Sequence, residues 1–421
     1  MLTNYTIEGF ENIQYQGFRS LAAIEARLKK LYQSYGYHQI SIPTFESFDQ
    51  FITDNTIPGD ELFKFISRKG KVLALKPDAT LSVARMAAIN HHDPGEIIKF
   101  FYQTNIYRHF SAPSDVKKEI TQMGVEFFGD TAPECDGEII ALAIESLRAN
   151  SIADIQIDMG HVGYINYLLD ELALSESDRT ALISLIDNKN IGDIRAFLDA
   201  RECDPAIAEI VLQLPRLYGK PRETFERMRT LCVNDQMRAV VANLQAIYRH
   251  LEVVGLADAV TFDLGFTNAM HYYSDLVFKA YVGSWGAPII DGGRYDHLSQ
   301  KFGIDRPACG FAVDLLGLMD FMDQHGLLDD APEPHRVIVY AENAKPRAFA
   351  LAADWRRQGL PVEIFCTAAD LPEQAIVALR SQQLYRDSYF YAITADGLFQ
   401  FKNNRLMPIE AFNAAETRQG E

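Results

Sequence analysis

No apolar stretch in this sequence of 421 residues approaches the roughly 20 residues that a membrane-spanning helix needs, which argues against a helical membrane protein. The opening MLTNYTIEGFENI lacks the basic and then apolar segments of a secretory signal, so a cytoplasmic location is expected. Cysteine is scarce. The five present, Cys135, Cys203, Cys232, Cys309 and Cys366, are scattered, with no C-x-x-C pair and no histidine cluster beside them. That spacing excludes an evident zinc site or disulfide framework and reads as small buried or half-buried thiols. There is no Lys/Arg-rich run either, and 57 acidic against 40 basic residues give a net charge of -17. An acidic surface repels phosphate backbones unless a local basic patch compensates, so nucleic acid is not expected as a partner. Internal repeats and low-complexity tracts are absent.

What is present suits two or three globular domains. Leu21, Ile24, Leu28 and Leu31 recur at helical spacing, and Gly36 follows as a stop. HQISIP is a strand closed by Pro43, and KVLALKP is a strand that runs into the helix DATLSVARMAAI. IIKFFYQTNIYR and EITQMGVEFFG read as two strands around a loop, HFSAPSDVKK. CDGEIIALAIESLRAN is a helix with Asp136 as N-cap. ADIQIDMGH is a strand, and the pattern is helical from about 162 to 255. VTFDLGF and YYSDLVFKAYV return to strand, PIIDGGRYDHL follows a turn, and CGFAVDLLGLMDFM reads as one apolar helix. DDAPEPH is a proline-bearing acidic linker, and a β-α-β-α-β alternation follows it. The expected fold class is α+β: a largely antiparallel core over residues 1–325 with a helical insertion, a linker at 326–334 and a small α/β domain at 335–421.

Three places carry candidate chemistry. In EITQMGVEFFG, Met123, Val125 and Phe127 share one strand face and suit a core. Gln122, Gly124 and Glu126 share the other, an amide and a carboxylate with one glycine between them on that face. Such a floor can bind an imidazole or an amine by directed hydrogen bonds; a solvated strand face is the plainer reading. Asp78 and Thr80 open a helix, where they either cap it or present a carboxylate and a hydroxyl to a ligand ammonium. Tyr272 and Tyr273 stand at the start of a strand, so alternation sends one to the core and leaves the other for a pocket. In GGRYD, Gly292 and Gly293 permit a close backbone approach, and Arg294 and Asp296 can pair locally. His161 reads as a hydrogen-bonded turn histidine, since no nucleophile or metal partner lies near it in sequence.

In order along the chain, K-P-D-A-T, Q-M-G-V-E, Y-Y-S-D-L-V-F, G-G-R-Y-D and C-G-F-A-V-D-L-L resemble the catalytic domain of histidyl-tRNA synthetases over roughly residues 5–325. The resemblance implies the class II synthetase fold, an antiparallel sheet flanked by helices, dimeric through its core, with a helical insertion where residues 162–255 lie. It also implies a histidine pocket of Asp78, Thr80, Gln122, Glu126 and the Tyr272–Tyr273 pair. Asp78 stands in place of that family's longer glutamate.

The adenylation machinery departs from the family pattern. Of the second motif, F-R-x-E, Arg108 is kept but the carboxylate position is Phe110. The histidine-specific arginine ahead of the tyrosine pair is Asn268, and the third-motif arginine is Gly317. Each lost transition-state contact typically costs about 10²–10³ in rate. A kept amino-acid pocket beside a lost ATP machine resembles the regulatory subunits of ATP phosphoribosyltransferase. Their helix-opening motif is matched by Lys76, Pro77 and Asp78, and their D-x-G-H-V-G strand end by Asp158, Gly160, His161, Val162 and Gly163. That resemblance implies a non-catalytic subunit of a glycosyltransferase complex, with no cofactor or metal, a short-form catalytic subunit as partner, and histidine as feedback effector. An active histidyl-tRNA synthetase and a stand-alone histidine sensor are the alternatives. Residues 335–421 resemble an anticodon-binding domain only loosely, look shortened, and carry balanced charge.

Overall fold

The computed structural model describes residues 7–52, 57, 59–109, 117–265, 272–328, 335–367, 372–382, 385 and 388–409. The chain divides into two units, residues 1–328 and 329–421.

The strands of the first unit are β1 (His38–Ile40), β2 (Phe45–Ser47), β3 (Lys64–Ile66), β4 (Val72–Leu75), β5 (Ile98–Tyr107), β6 (Glu119–Phe128), β7 (Ile155–His161), β8 (Tyr218–Gly219), β9 (Val260–Asp263), β10 (Leu276–Val282), β11 (Ile290–Arg294) and β12 (Ala308–Asp314). Nine of them form one sheet in the order β1-β5-β6-β12-β11-β10-β7-β9-β8. Only its β1–β5 and β7–β9 pairs are parallel; the others are antiparallel. A separate three-stranded sheet has the order β2-β4-β3.

The helices are α1 (Tyr15–Ser34), α2 (Asp49–Ile52), α3 (Thr80–Asn90), α4 (Pro133–Arg148), α5 (Val162–Asp170), α6 (Glu176–Asp187), α7 (Ile191–Ala200), α8 (Pro205–Val211), α9 (Pro221–Leu231), α10 (Asp235–Val253) and α11 (Leu315–Gln324). In α1 the buried positions Leu21, Ile24, Leu28 and Tyr32 follow the helical repeat. Gly36, at φ +83°, takes the left-handed turn beyond the helix end. Helices α5 to α10 make up the insertion. Ser175, Asn190, Asp204 and Asn234 cap four of them through side-chain oxygens that accept from the first free N–H groups.

The two faces of the large sheet have different jobs. Phe101, Met123, Val125, Phe127, Phe311 and Val313 join α1, α4 and α11 in the main core. On the opposite face Tyr102, Ile98 and Phe128 pack against Ala79, Leu81, Val83 and Ala84 around the start of α3. The period of two along β5 and β6 separates these sets.

Three sequence expectations change. CGFAVD is not helical: it is β12, an inner strand paired with both β6 and β11, and the helix starts only at Leu315. An apolar run buried on both faces carries no period that distinguishes strand from helix. Asp314 ends the strand and caps α11, its Oδ1 accepting from the N–H groups of Leu316 at 3.1 Å and Gly317 at 3.0 Å. Asp136 does not cap α4, which begins at Pro133 with Ala132 as N-cap; it lies inside the first turn. Cys366 is exposed, unlike the other cysteines.

The second unit has β13 (Arg336–Ala341), α12 (Lys345–Arg357), β14 (Val362–Thr367), α13 (Pro372–Arg380), β15 (Tyr389–Thr394), β16 (Gly397–Lys402) and β17 (Arg405–Pro408). Its sheet runs β14-β13-β15-β16-β17. The first three strands are parallel and the last two add an antiparallel hairpin. Helices α12 and α13 contribute Trp355 and Ile376 to opposite faces, the layering expected of β-α-β units.

Candidate functional site

On β6 the side chains of Gln122 and Glu126 leave the sheet on the face away from the main core, as alternation requires. The pairing register then fixes the floor around them. Glu126 lies in a cross-sheet row with Phe100, Gly310, Gly293 and Val277. The next row holds Tyr102, Gly124, Ala312, Asp291, Lys279 and Asp158. Three glycines keep this floor low. A Cβ at Gly310 would stand 2.1 Å from Glu126 Oε2, one at Gly124 2.4 Å from the Tyr102 hydroxyl, and one at Gly293 2.8 Å from the Tyr273 ring.

The start of α3 closes one side. Asp78 is 6% and Thr80 8% exposed, and Glu126 only 1%. The Thr80 hydroxyl donates to Glu126 Oε1 at 2.9 Å. Asp78 Oδ1 accepts from the Leu81 N–H at 3.0 Å, so Asp78 satisfies a free N–H of the first turn from one residue ahead of the N-cap, Ala79. Its second oxygen faces Arg108 Nη2 at 3.6 Å. One carboxylate thus bonds to the first turn of the helix and pairs with Arg108.

Tyr272 and Tyr273 precede β10 rather than standing in it, so alternation does not split them. Both rings pack on the pocket side, 4.8 Å apart between centroids. Tyr272 also meets Tyr295 edge-on at 5.9 Å. The six residues expected at a histidine pocket thus lie on one side of the sheet, with Gln122 two same-face positions from Glu126 along the strand. Gln122 makes no hydrogen bond through its amide among the described residues.

Two residues that the sequence reading did not single out complete the site. The Tyr295 hydroxyl is bonded to Glu126 Oε2. Tyr102, fully buried, brings its hydroxyl toward Glu126 and Thr80 but completes a hydrogen bond to neither. Tyr295 stands in the G-G-R-Y-D run, and Tyr102 shares a strand face with Phe100 and Thr104. Only the strand register joins them to Glu126.

Burial dominates the electrostatics. It pushes the Glu126 carboxyl up to about 8, against the hydrogen bonds from Tyr295 and Thr80, and the nearby negative charge of Asp78 adds to the rise. Burial also raises Asp78, while Arg108 and the helix N–H groups hold it down. Lys76, with no exposed surface, donates to the Pro43 carbonyl at 3.1 Å and to Thr104. Burial brings its ammonium down to about 8.

Arg294 links the pocket to the core beneath it. Its Nε donates to Asp136 Oδ1 and Oδ2 at 3.0 and 3.1 Å, and its Nη1 to Asp296 at 3.0 Å and to the Asp130 carbonyl at 3.0 Å. Ser274 N–H donates to the Arg294 carbonyl at 2.8 Å, which ties the tyrosine segment to β11. His161 caps α5, its Nδ1 accepting from Gly163 N–H at 3.1 Å. Burial lowers its imidazole to about 4. That is a structural histidine.

Of the altered synthetase positions, Phe110 and Asn268 lie outside the described residues. Gly317 opens α11, where a Cβ would stand 2.7 Å from Asp314 Oδ2. The retained Arg108 donates through Nε to the Pro77 carbonyl at 2.6 Å, so its guanidinium is held against the helix-opening motif.

The family model for histidyl-tRNA synthetase matches residues 9–318. A relative from Acetivibrio thermocellus, described as an ATP phosphoribosyltransferase regulatory subunit, is 32% identical over 367 residues, covering 87% of this chain and 88% of its own. The chain belongs to the ATP phosphoribosyltransferase regulatory subunit family, within the histidyl-tRNA synthetase-like proteins. A solved structure from Bacillus halodurans, described as an ATP phosphoribosyltransferase regulatory subunit/histidyl-tRNA synthetase, superposes with a TM-score of 0.81 at 27% identity, over 94% of this chain and all of that one. A histidyl-tRNA synthetase from Nostoc sp. PCC 7120 superposes with a TM-score of 0.78 over the whole of both chains. At 19% identity it shares the fold alone. The class II α+β fold expected from the sequence is the fold of these structural neighbours. Among the described residues no helix is long and apolar enough to cross a membrane.

Proposed function

We propose that this chain is the non-catalytic regulatory subunit of an ATP phosphoribosyltransferase. It joins a short-form catalytic subunit in the cytoplasm and is needed for the condensation of ATP with phosphoribosyl pyrophosphate, the first step of histidine biosynthesis. Histidine inhibits that step through the pocket around Glu126. The core dimerises, as the synthetase-like fold suggests.

The observation that carries this reading is the contrast between two neighbouring parts of one sheet face. The amino-acid end keeps a carboxylate, a hydroxyl and tyrosine rings on a glycine floor. The adjoining end, where a nucleotide's phosphates would need cations, carries Asp158 and Asp291 in one cross-sheet row with Lys279 between them, and Asp314 one row further along β12, opposite Gln122. Lys279 there lies 3.6 Å from Asp291. Two unit charges roughly 8 Å apart interact by about 2 kcal/mol at an effective dielectric near 20, so a carboxylate row opposes a triphosphate. Adenylation depends on preorganised positive groups, and Gly317 supplies none.

The pocket then serves as an effector site. For inhibition, histidine must bind two quaternary states with different affinity, and a coupling of about 1–3 kcal/mol suffices. The partner assignment is tested by mixing this chain with a short-form catalytic subunit from the same source and measuring the mass of the product by light scattering. A hetero-oligomer is expected. Two separate species at micromolar concentrations would contradict the assignment.

A further inference from the structure

Glu126 is a buried carboxyl, and among the described residues no cation bonds to it. Thr80, on one side, donates to Oε1 at 2.9 Å, and Asp78 from the same segment adds negative charge. From β5 comes Tyr102, from the end of β11 Tyr295, and from the segment ahead of β10 the rings of Tyr272 and Tyr273. From β12 the residue paired with Glu126 is Gly310. The cations on neighbouring segments point elsewhere: Arg108 to Pro77 and Asp78, Lys76 to Pro43 and Thr104. A buried carboxylate without a cation neutralises itself by taking a proton. The Tyr102 hydroxyl is a second observation of a different kind. It is buried close to Glu126 and Thr80 but among the described residues closes no hydrogen bond of good geometry, a state that buried hydroxyls rarely tolerate, and a ligand atom would complete its bonding.

We propose that Glu126 holds one exchangeable proton in the empty pocket and shares that same proton with the ring of the bound amino acid, with Tyr102 and Tyr295 as positioning residues. The ligand is then histidine with an uncharged imidazole, a ring that can accept a proton at one nitrogen and donate one at the other. This rests on the reading of the pocket as a histidine site. The proton count balances: the O–H of Glu126 either bonds to a ring nitrogen or passes to it as an N–H forms. The complex holds one proton between the two groups in either case.

The consequence is a defined exchange with solvent. Between the ring's own value, about 6.5, and the Glu126 value, about 8, the pocket is protonated and the ligand is neutral, so binding exchanges no proton. Above that range the empty pocket has lost its proton and binding must take one up. Below it the free ligand carries an extra proton, which binding releases. Affinity therefore has a plateau with a fall on either side.

Titration calorimetry of the full chain with histidine, in buffers of different ionisation enthalpy, counts these protons. At pH 7.3 the expected net uptake is close to zero. At pH 8.5 wild-type uptake should exceed that of Glu126→Gln by roughly half a proton or more, a comparison that cancels any uptake by the ligand's amino group. The amide of Glu126→Gln keeps a permanent donor, so histidine affinity at pH 7.3 should stay within about tenfold of wild type, and the upper pH edge should vanish. Tyr295→Phe removes a bond that favours the charged carboxylate, so the onset of uptake should move to higher pH. Uptake of a full proton at pH 7.3, no difference at pH 8.5, or a loss beyond about a hundredfold in Glu126→Gln would overturn the inference. If the wild type bound no histidine at any pH, the pocket reading would fall and this inference with it; binding with the wrong proton count overturns only the inference.

Discussion

Arg108 and Asp78 face each other across 3.6 Å at the start of α3, and Arg108 also donates to the carbonyl of Pro77, the residue before Asp78, at 2.6 Å. An arginine kept from the synthetase pattern thus secures the helix-opening motif that lines the proposed amino-acid site. Arg108→Ala should cost about 1–3 kcal/mol of stability, since it strips the cation from a nearly buried carboxylate. It should also weaken histidine binding by about tenfold. Arg108→Lys should recover part of the affinity, because it restores charge but not the fork that reaches both partners. Urea unfolding and calorimetry check the two effects, and an unchanged affinity in Arg108→Ala would contradict the role assigned to the pair.

The raised carboxyl of Glu126 makes stability depend on pH in a definite direction. In the unfolded chain its pKa is about 4.3; in the folded pocket it is about 8. Below the lower value both states are protonated. As pH rises between the two, only the unfolded chain ionises, so stability present at low pH is lost progressively up to about pH 8. Glu126→Gln cannot ionise and escapes that loss. In the absence of histidine it should be more stable than wild type at pH 8, by an amount on the order of a few kcal/mol, with a smaller gap at pH 5. Parallel melting curves from pH 5 to pH 8 would contradict it.

Gly310 and Gly286 offer a paired test of the pocket floor. A Cβ at Gly310 would lie 2.1 Å from Glu126 Oε2 and 2.3 Å from the Val125 carbonyl oxygen, whereas one at Gly286 meets nothing within 4 Å. Backbone in an inner strand cannot yield, so Gly310→Ala should cost about 1–3 kcal/mol or more and abolish histidine binding. Gly286→Ala should be close to neutral in both respects. Thermal melts and calorimetry on the two variants decide the matter.

Histidine-dependent exchange of labelled pyrophosphate into ATP should stay at background. Restoring one group would not revive it: in Gly317→Arg the new Cβ would crowd Asp314 Oδ2 at 2.7 Å, and the carboxylates of Asp291 and Asp314 would remain on that end of the sheet face. Exchange above background in the wild type would contradict the loss of adenylation.

The pocket was legible in the sequence only where local period decides orientation. The two faces of β6 could be read because Met123, Val125 and Phe127 alternate with Gln122, Gly124 and Glu126, and the structure keeps that division. Tyr102 and Tyr295 could not be joined to Glu126 from the sequence, because their nearness depends on strand pairing across β5, β6, β12 and β11. β12 was misread as helix because its apolar run is buried on both faces. Asp136 looked like a cap because it precedes an apolar helical run; its partner, Arg294, lies 158 residues away in the chain. The resemblance to the synthetase family supplied the topology that composition and periodicity could not.

The most direct test of the regulatory role is the activity of a short-form ATP phosphoribosyltransferase catalytic subunit from the same source, measured alone, with this chain, and with this chain plus histidine. Activity should appear when the chain is added and fall when histidine follows, with inhibition blunted when Glu126→Ala replaces the wild type. A catalytic subunit equally active without the chain, or one whose activity in its presence ignores histidine, would contradict the proposed function.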